Sequence, residues 1–339
     1  MSSERAAAAA GSSAATADGA AATSAASPRT TPPAAAPRPV RRARLGNSAS
    51  PLMALLWLGP ALVLIAGVVI YPAIELVQAS FTRFSITGLR TGSAGTGNYT
   101  QVLAHRDLAT VLTNTVVWVV AVLVLTVLIS LAVAQFLSKD FWGRPIVRWA
   151  IIVPWAASLV ITARLFTLIY DYYHGILNQV LLSLHVISKP IDFLGDDRWT
   201  MFSMVLVGVF VSIPFTAYVF LAGLNAIPQD VYEAARVDGA RPWQIYSRIT
   251  LPLLRPAILV ASVLNIIYVF NSFPIVYTLN DRNPGFAHDT SITFMYKLAF
   301  KSAEHDVGMA AAAGVANVLL ILVVVAVYLR LVNWQKETA

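Results

Sequence analysis

Long apolar stretches alternate with polar segments along most of the chain. A helix of about 20 mainly apolar residues is long enough to cross the hydrocarbon core of a bilayer. Six stretches approach or exceed that length, so the pattern predicts an all-α integral membrane protein with six transmembrane helices. The predicted spans are Leu52–Ile70, Val111–Leu137, Trp149–Ile169, Met201–Leu221, Ala257–Leu279 and Val307–Leu329.

Composition agrees with this prediction. Of the 339 residues, 57% are hydrophobic and 12% are charged, whereas about a quarter of the residues in a soluble domain are charged. Residues 1–50 consist mainly of Ala, Ser, Thr, Pro and Arg, which cannot bury a core, so we expect a disordered tail followed by a membrane domain over 51–339. A cleaved signal peptide is the alternative for this region. The first apolar stretch is nevertheless long enough to span, which favours an uncleaved helix.

Lys and Arg are distributed unevenly among the polar segments that separate the spans. With the tail in the cytoplasm, the cytoplasmic segments carry 15 of these residues and the external segments carry 8. Cytoplasmic loops are enriched in Lys and Arg, so we expect both termini to be cytoplasmic. The net charge of +7 then reflects topology, and no nucleic-acid partner is predicted.

The polar segment over residues 228–256 carries helix start and stop signals in order. Pro228 and Pro242 suit first helical turns, Gly239 suits the break between two helices, and Pro252 and Pro256 are expected to end the second helix. The pattern therefore predicts a bent helix pair. In its first helix Val231, Ala234, Ala235 and Asp238 share one face, with Glu233 beside them. Spacing alone leaves two interpretations open, docking into a groove of another protein and lying on the membrane surface.

The stretch EAARVDGARPWQIYSRITLPLLRP resembles the EAA loop of permease subunits of binding-protein-dependent ABC importers. The resemblance is carried by Glu233, Ala234, Ala235, Asp238, Gly239, Ala240, Ile249, Pro252 and Pro256. Asp before Gly, and LPLL after the second helix, are typical of the carbohydrate-uptake subgroup, which includes maltose, trehalose and glycerol-phosphate permeases. One departure is the sequence NDRNPG, which stands where that subgroup has a Gly-Gly-Pro turn.

The resemblance implies a type I importer permease in a bacterial cytoplasmic (inner) membrane, with residues 228–256 as its coupling loop. Implied partners are a second homologous permease, two ATPase subunits that bind ATP and Mg, and an external or lipid-anchored solute-binding protein. The implied substrate is a sugar, with a di- or oligosaccharide favoured. This chain would be a transport subunit without a cofactor of its own. Glu233 would pair with a basic group on the ATPase, Gly239 would permit the bend, and Ala234 and Ala235 would permit close seating.

Polar and aromatic residues interrupt the fifth predicted span. Asn265 and Tyr268 lie near one face, Asn271 follows, and Pro274 is expected to kink the helix. A neutral sugar needs hydrogen bonds and aromatic faces more than fixed charge. We therefore predict that Asn265, Tyr268 and Asn271 line a substrate path together with Asn114.

Catalytic and metal sites are not predicted. The chain has no cysteine, which excludes disulfides and thiolate metal sites. Its five histidines show no ligand spacing. The stretch Gly92–Asn98 has the glycine spacing of a phosphate-binding loop, but Asn98 replaces the required lysine, so the chain is not expected to hydrolyse ATP.

Two alternatives to an importer permease remain. An ion-coupled secondary sugar carrier would normally place Asp, Glu or His inside the membrane, and the six predicted spans contain none of these. A scaffold for the ATPase would keep residues 228–256 but would not need a polar fifth span. Arg164 is the one ionisable residue in any predicted span; anchoring at the membrane surface is favoured over a gate or substrate role.

Overall fold

The computed structural model describes residues 51–283, 285–301 and 306–337. The tail predicted for residues 1–50 lies outside this range. Internal contacts divide the chain into the units Met1–Trp57 and Leu58–Ala339. The described residues of the first unit are helical, and the second unit contains all the elements that position the candidate site.

Helices dominate the described residues, as the apolar pattern predicts. Two π-helical turns, Ile65–Ile70 and Tyr246–Thr250, are inserted between α-helices. A short antiparallel hairpin, β1 (Thr82–Phe84) and β2 (Arg90–Ser93), is an addition to the predicted all-α architecture. The α-helices are α1 (Pro51–Leu64), α2 (Tyr71–Ser80), α3 (Gly97–Leu103), α4 (Leu108–Leu137), α5 (Arg144–Ala156), α6 (Leu159–Ile169), α7 (Ile176–Ser183), α8 (Asp197–Asn225), α9 (Gln229–Val237), α10 (Pro242–Ile245), α11 (Leu251–Phe270), α12 (Phe273–Leu279), α13 (Ser291–Phe300) and α14 (Val307–Glu337).

Five helical stretches in the described ranges are long and apolar enough to cross a membrane. They are Leu55–Ser80, Leu108–Leu137, Asp197–Asn225, Pro242–Phe270 and Val307–Leu331. The first of them continues ten residues beyond the predicted end at Ile70, because a π-helical turn joins α1 to α2 without a break. The predicted membrane architecture is confirmed, but the number of uninterrupted spans is five.

The third predicted span, Trp149–Ile169, is not one helix. It is divided into α5 and α6 at residues 157–158, where Ser158 has an extended backbone with ψ of 136°. Serine is a favoured residue immediately before a helix, and its carbonyl accepts a hydrogen bond from the Thr162 N–H at 2.9 Å. Ser158 therefore starts a new helix within the predicted span, and each half is shorter than a membrane crossing.

The fifth predicted span is also divided, but not at the predicted position. Helix α11 ends at Phe270 and α12 begins at Phe273, with Asn271 and Ser272 between them. Pro274 lies in the first turn of α12, where a missing N–H costs no helical hydrogen bond. Pro274 therefore starts a helix and does not kink one.

The core of the larger unit lies where α4, α8 and α11 meet. Trp118 is 1% exposed, and its indole Nε1–H donates to the Val269 carbonyl at 2.9 Å. The close approach of α4 and α8 depends on Gly208, because a Cβ there would lie 2.7 Å from the Trp118 ring. These three helices form the frame in which the polar residues of the membrane domain are placed.

Candidate functional site

Residues 228–240 form the first half of the predicted helix pair. Helix α9 ends at Val237, Asp238 is its C-cap, and Gly239 follows with φ of +74°. The Gly239 N–H donates to the Arg236 carbonyl and the Ala240 N–H donates to the Ala235 carbonyl, both at 3.0 Å. This is the paired hydrogen bonding of a Schellman motif, in which glycine is favoured because its backbone adopts positive φ without strain. The predicted break at Gly239 is confirmed.

The second half of the pair does not end at Pro252 and Pro256, contrary to prediction. Helix begins at Pro242 and continues without interruption to Phe270. The π-helical turn precedes Pro252, and the Leu251 N–H donates to the Tyr246 carbonyl. Membrane helices tolerate proline when local adjustment compensates for the lost hydrogen bonds. The second helix of the predicted pair therefore continues into the fifth predicted span.

The residues of the EAA pattern do not share one environment. Glu233, Ala234, Asp238 and Gly239 are exposed, whereas Ala235 is buried. The small side chain of Ala235 allows α9 to lie close to the rest of the chain. The predicted common face of α9 is thus split between an exposed side and a side that packs inward.

A cavity of about 590 Å³ lies between α9 and the C-terminal ends of α4 and α8. Its lining includes three charged side chains, Lys139, Glu233 and Arg236. Tyr232 and Thr250 also line this cavity, and the Thr250 hydroxyl donates to the Tyr232 hydroxyl at 3.4 Å.

Asn265 and Tyr268, two of the four predicted path residues, border one cavity within the membrane helices. The cavity has a volume of about 240 Å³ and lies between α5, α8 and α11. It is lined by Trp155, Val211, Ser212, Phe215, Leu264, Asn265 and Tyr268. The lining combines aromatic rings with two polar side chains and includes no charged residue.

Two buried polar atoms at this cavity lack a hydrogen-bond partner within the described structure. The Asn265 Nδ2 donates to the Thr216 hydroxyl at 3.0 Å, but Asn265 Oδ1 has no partner. Ser212 Oγ likewise has none, and both residues are at least 96% buried. An unsatisfied buried polar group costs about 1–3 kcal/mol. Both atoms have almost no accessible surface, so a small movement of the side chains or helices would be needed to bring them to the hydroxyl groups of a ligand in the cavity.

Sequence reasoning did not identify Ser212. One available signal was its spacing from Thr216, because residues four apart on α8 share a face and enclose Pro214. Serine and threonine are nevertheless common in membrane helices as packing residues. The proximity of Ser212 and Thr216 to Asn265 depends on how α8 and α11 pack. A local sequence pattern does not show that packing.

Asn114 and Asn271 lie elsewhere. The Asn114 side chain donates to the carbonyls of Ala287 and Asp289, at 2.7 and 3.2 Å, and so holds the loop between α12 and α13. Asn271 is exposed and donates to the Ile267 carbonyl of its own helix at 2.9 Å. The four predicted residues therefore do not form one site.

A buried ion pair joins the loop held by Asn114 to α13. Asp289 is 1% exposed, and Asp289 Oδ2 lies 2.7 Å from Lys297 Nζ. Asn280 donates to Asp289 Oδ1 at 2.9 Å, and Lys297 Nζ donates to the Gly285 carbonyl at 2.7 Å. These bonds connect Asn280, Gly285 and Asp289 of the loop to Lys297 on α13.

A second charged contact orders the turn after α6. The backbone N–H groups of His174 and Tyr173 donate to Asp171 Oδ1, and Arg282 lies 3.5 Å from Asp171 Oδ2. Hydrogen bonds to a carboxylate favour its charged form. The His174 N–H first, and then Tyr173 and Arg282, hold the pKa of Asp171 below its usual value.

Across the residues that the structure describes, no group of three His, Cys, Asp or Glu side chains is placed to hold a metal ion. The cavity bordered by Asn265 and Tyr268, called the central cavity below, offers hydrogen bonding and aromatic contact.

Comparisons with known proteins agree with this architecture. A family described as the inner membrane component of binding-protein-dependent transport systems matches residues 126–336. A probable ABC transporter permease protein of Brucella suis is 37% identical over 280 residues, which cover 82% of this chain and 96% of the relative. The trehalose/maltose transport system permease protein MalF of Thermococcus litoralis is 35% identical over 72% of this chain and 81% of its own length.

A solved structure has the same fold. It is the bacterial alginate ABC transporter in complex with an alginate pentasaccharide-bound periplasmic protein. One of its chains matches with a TM-score of 0.70 and 23% identity, over 82% of this chain and 92% of its own length. At that identity the match concerns the fold alone.

Proposed function

We propose, because this chain belongs to the family of inner membrane components of binding-protein-dependent transport systems, that it is the sugar-translocating permease of an ATP-driven importer. The family match confirms the family that the resemblance in Glu233–Pro256 implied. It also makes the chain a transport subunit of the inner membrane and not an enzyme. The substrate class, the partners and the residues that perform transport are the parts proposed here.

The observation that carries the sugar assignment is the pair of unsatisfied atoms, Ser212 Oγ and Asn265 Oδ1, at an otherwise aromatic and apolar cavity. Sugar rings present hydroxyl groups at their edges and C–H groups on their faces. Polar groups placed among aromatic rings suit such a molecule. The name of the trehalose/maltose relative supports the same substrate class.

The proposed coupling mechanism follows the path of one helix. Helix α9 would dock on a separate ATPase subunit, where Glu233 pairs with a basic group. From Pro242 a continuous helix leads to Phe270 and carries Asn265 and Tyr268. Displacement of α9 by closure of the ATPase pair would tilt this helix against α8. The separation between Asn265 and Ser212 would then change, and the bound sugar would be released toward one side.

The same proposal includes partners outside this chain. A second permease would complete the path, two ATPase subunits would bind ATP and Mg, and an external or lipid-anchored protein would deliver the sugar. The family description and the periplasmic protein in the related alginate transporter support this assembly. Both termini would be cytoplasmic, so that α9 faces the ATPase.

The test replaces Ser212 with alanine in the assembled importer. Ser212→Ala removes an unsatisfied hydroxyl, so thermal stability should be unchanged or higher. Uptake of radiolabelled maltose or trehalose in proteoliposomes should fall about tenfold, the loss expected for about 1.4 kcal/mol of binding. Ser203→Ala is the matched control, because Ser203 Oγ is also buried and unpartnered on α8 but does not border the cavity.

Equal uptake by the Ser212 variant and wild type would remove this cavity from the substrate path. Uptake that ignored ATP and followed a proton or sodium gradient would instead favour the ion-coupled carrier.

A further inference from the structure

Arg164 lies in the middle of an exposed apolar face of α6. The other face of this helix, which includes Thr162 and Ala163, is buried. Residues at positions i, i+1, i+4, i+5 and i+8 share one side of a helix. On the exposed side these positions are Val160, Ile161, Arg164, Leu165 and Leu168, whose four apolar members are 50–70% exposed. A charged side chain is thus surrounded by aliphatic ones.

Within the described part of the chain, Arg164 forms no ion pair or side-chain hydrogen bond. Basic residues of the outer loops are paired in several cases, including Arg282 with Asp171, Lys297 with Asp289 and Lys301 with Asp281. A guanidinium group in an apolar setting needs hydrogen-bond acceptors. For Arg164 the acceptor must come from outside the described residues.

The composition of α6 indicates which neighbour supplies the hydrogen-bond acceptor for Arg164. Contacts between membrane helices favour small residues, which allow close approach. In α6 the small residues Thr162 and Ala163 lie on the buried side, and the exposed side is bulky and aliphatic. Arg164 is also absent from the lining of the central cavity. A face of this kind suits lipid better than a second subunit or a substrate.

Arg164 is within reach of the membrane surface. It precedes Ile169, the last residue of α6, by five positions, which is roughly 7–8 Å along the helix axis. Arginine extends its side chain toward the headgroups while its methylene groups stay in apolar surroundings. Its planar guanidinium group binds phosphate through two parallel hydrogen bonds.

We propose that Arg164 binds the phosphate of a phospholipid headgroup in the outer leaflet. Because α6 has only 11 residues, its own length does not fix its depth in the bilayer. The headgroup contact supplies that constraint. Since α6 packs against α12, the contact also holds the outer part of the divided fifth span. This inference does not depend on which solute is transported.

The first test counts bound lipid by native mass spectrometry. The full-length chain, with the subunits that co-purify, is extracted from phosphatidylglycerol vesicles. We expect Arg164→Gln to lose one tightly held phospholipid per chain and Arg164→Lys to retain it less firmly. Arg83→Gln is the control, because Arg83 is exposed on the outer hairpin. Excess inorganic phosphate should not displace the lipid. An unchanged lipid count in Arg164→Gln would overturn the proposal.

A second measurement reports the depth of α6. The absence of cysteine allows a single spin label at Leu168→Cys, whose parent side chain is 70% exposed. In phosphatidylglycerol, adding Arg164→Leu should move the label toward the bilayer centre by about 5 Å, roughly one helical turn. The labelled protein that keeps Arg164 should show part of this shift in vesicles of phosphate-free galactolipid. No shift in either case, or efficient cross-linking of Arg164→Cys to a co-purified subunit, would show that protein and not lipid covers this face.

Discussion

Gly239 is the residue whose backbone conformation most directly controls the direction of the chain between α9 and the fifth span. Its φ of +74° lies in the left-handed region, and a Cβ added at this residue would have free space around it, with no non-neighbouring atom within 4 Å. Any cost of substitution at Gly239 therefore comes from the backbone and not from a clash.

We expect Gly239→Ala to destabilise the bend by about 1–2 kcal/mol, the cost of left-handed backbone for a residue with a Cβ. Gly239→Asn should cost less, because asparagine tolerates this conformation. Hydrogen exchange at the Ala240 amide, which bonds to Ala235, would measure the opening. Gly97→Ala is the control, since Gly97 has equal free space and no positive φ. Equal protection in all variants would contradict this account.

Turn chemistry made Gly239 and Pro242 predictable from sequence, because their conformational preferences are properties of single residues. Ser212 was not predictable in the same way. Its environment is set by α11, which approaches it from more than 50 positions along the chain. Asn114 was assigned to the substrate path because polar residues in spans often line paths. The structure gives it partners in a loop more than 170 positions away.

Among the structural elements, α13 depends on a charge pair that is shielded from water and joins it to the loop before it. Lys297 and Asp289 have side-chain exposures of 13% and 1%. Lys301 and Asp281 form a similar pair nearby with exposures of 48% and 39%. The two pairs allow burial to be compared while the residue types stay the same.

Lys297→Met should lower stability by about 3–5 kcal/mol, because it leaves the Asp289 carboxylate buried without its cation. Lys301→Met should have a much smaller effect, since water already screens that pair. Thermal unfolding of the purified assembly in detergent would compare the two. Combining Lys297→Met with Asp289→Asn should recover part of the loss. A Lys301 effect as large as that of Lys297 would mean that burial does not determine the strength of these pairs.

The lengths of the apolar stretches were enough to predict that membrane helices are present, and the described residues contain five continuous ones. The interruptions at residues 157–158 and 271–272 were not predicted by these lengths. Ser158 and Asn271 occur in stretches that remain apolar on average, so hydropathy alone does not separate the helices there. The two prolines led to the opposite error, because Pro252 and Pro256 were expected to end a helix and both stay within one. A π-helical turn directly precedes Pro252.

For the whole molecule, the uneven distribution of basic residues is the property that predicts orientation. The predicted placement of 15 Lys and Arg residues on one side and 8 on the other leads us to expect α9 in the cytoplasm and the β-hairpin outside. The proposed mechanism requires this arrangement, because an ATPase can reach α9 only from the cytoplasm.

Single cysteines can test this orientation, since the native chain contains none. Val237→Cys on α9 and Leu103→Cys on α3 replace side chains that are 88% and 73% exposed, so both thiols should be accessible to solvent. In intact cells whose outer barrier admits small reagents, a membrane-impermeant maleimide should label Leu103→Cys and leave Val237→Cys unmodified. Disruption of the membrane should make Val237→Cys reactive and thereby control for accessibility. Labelling of Val237→Cys in intact cells would place α9 outside, where it could not contact a cytoplasmic ATPase, and the proposed coupling would fail with it.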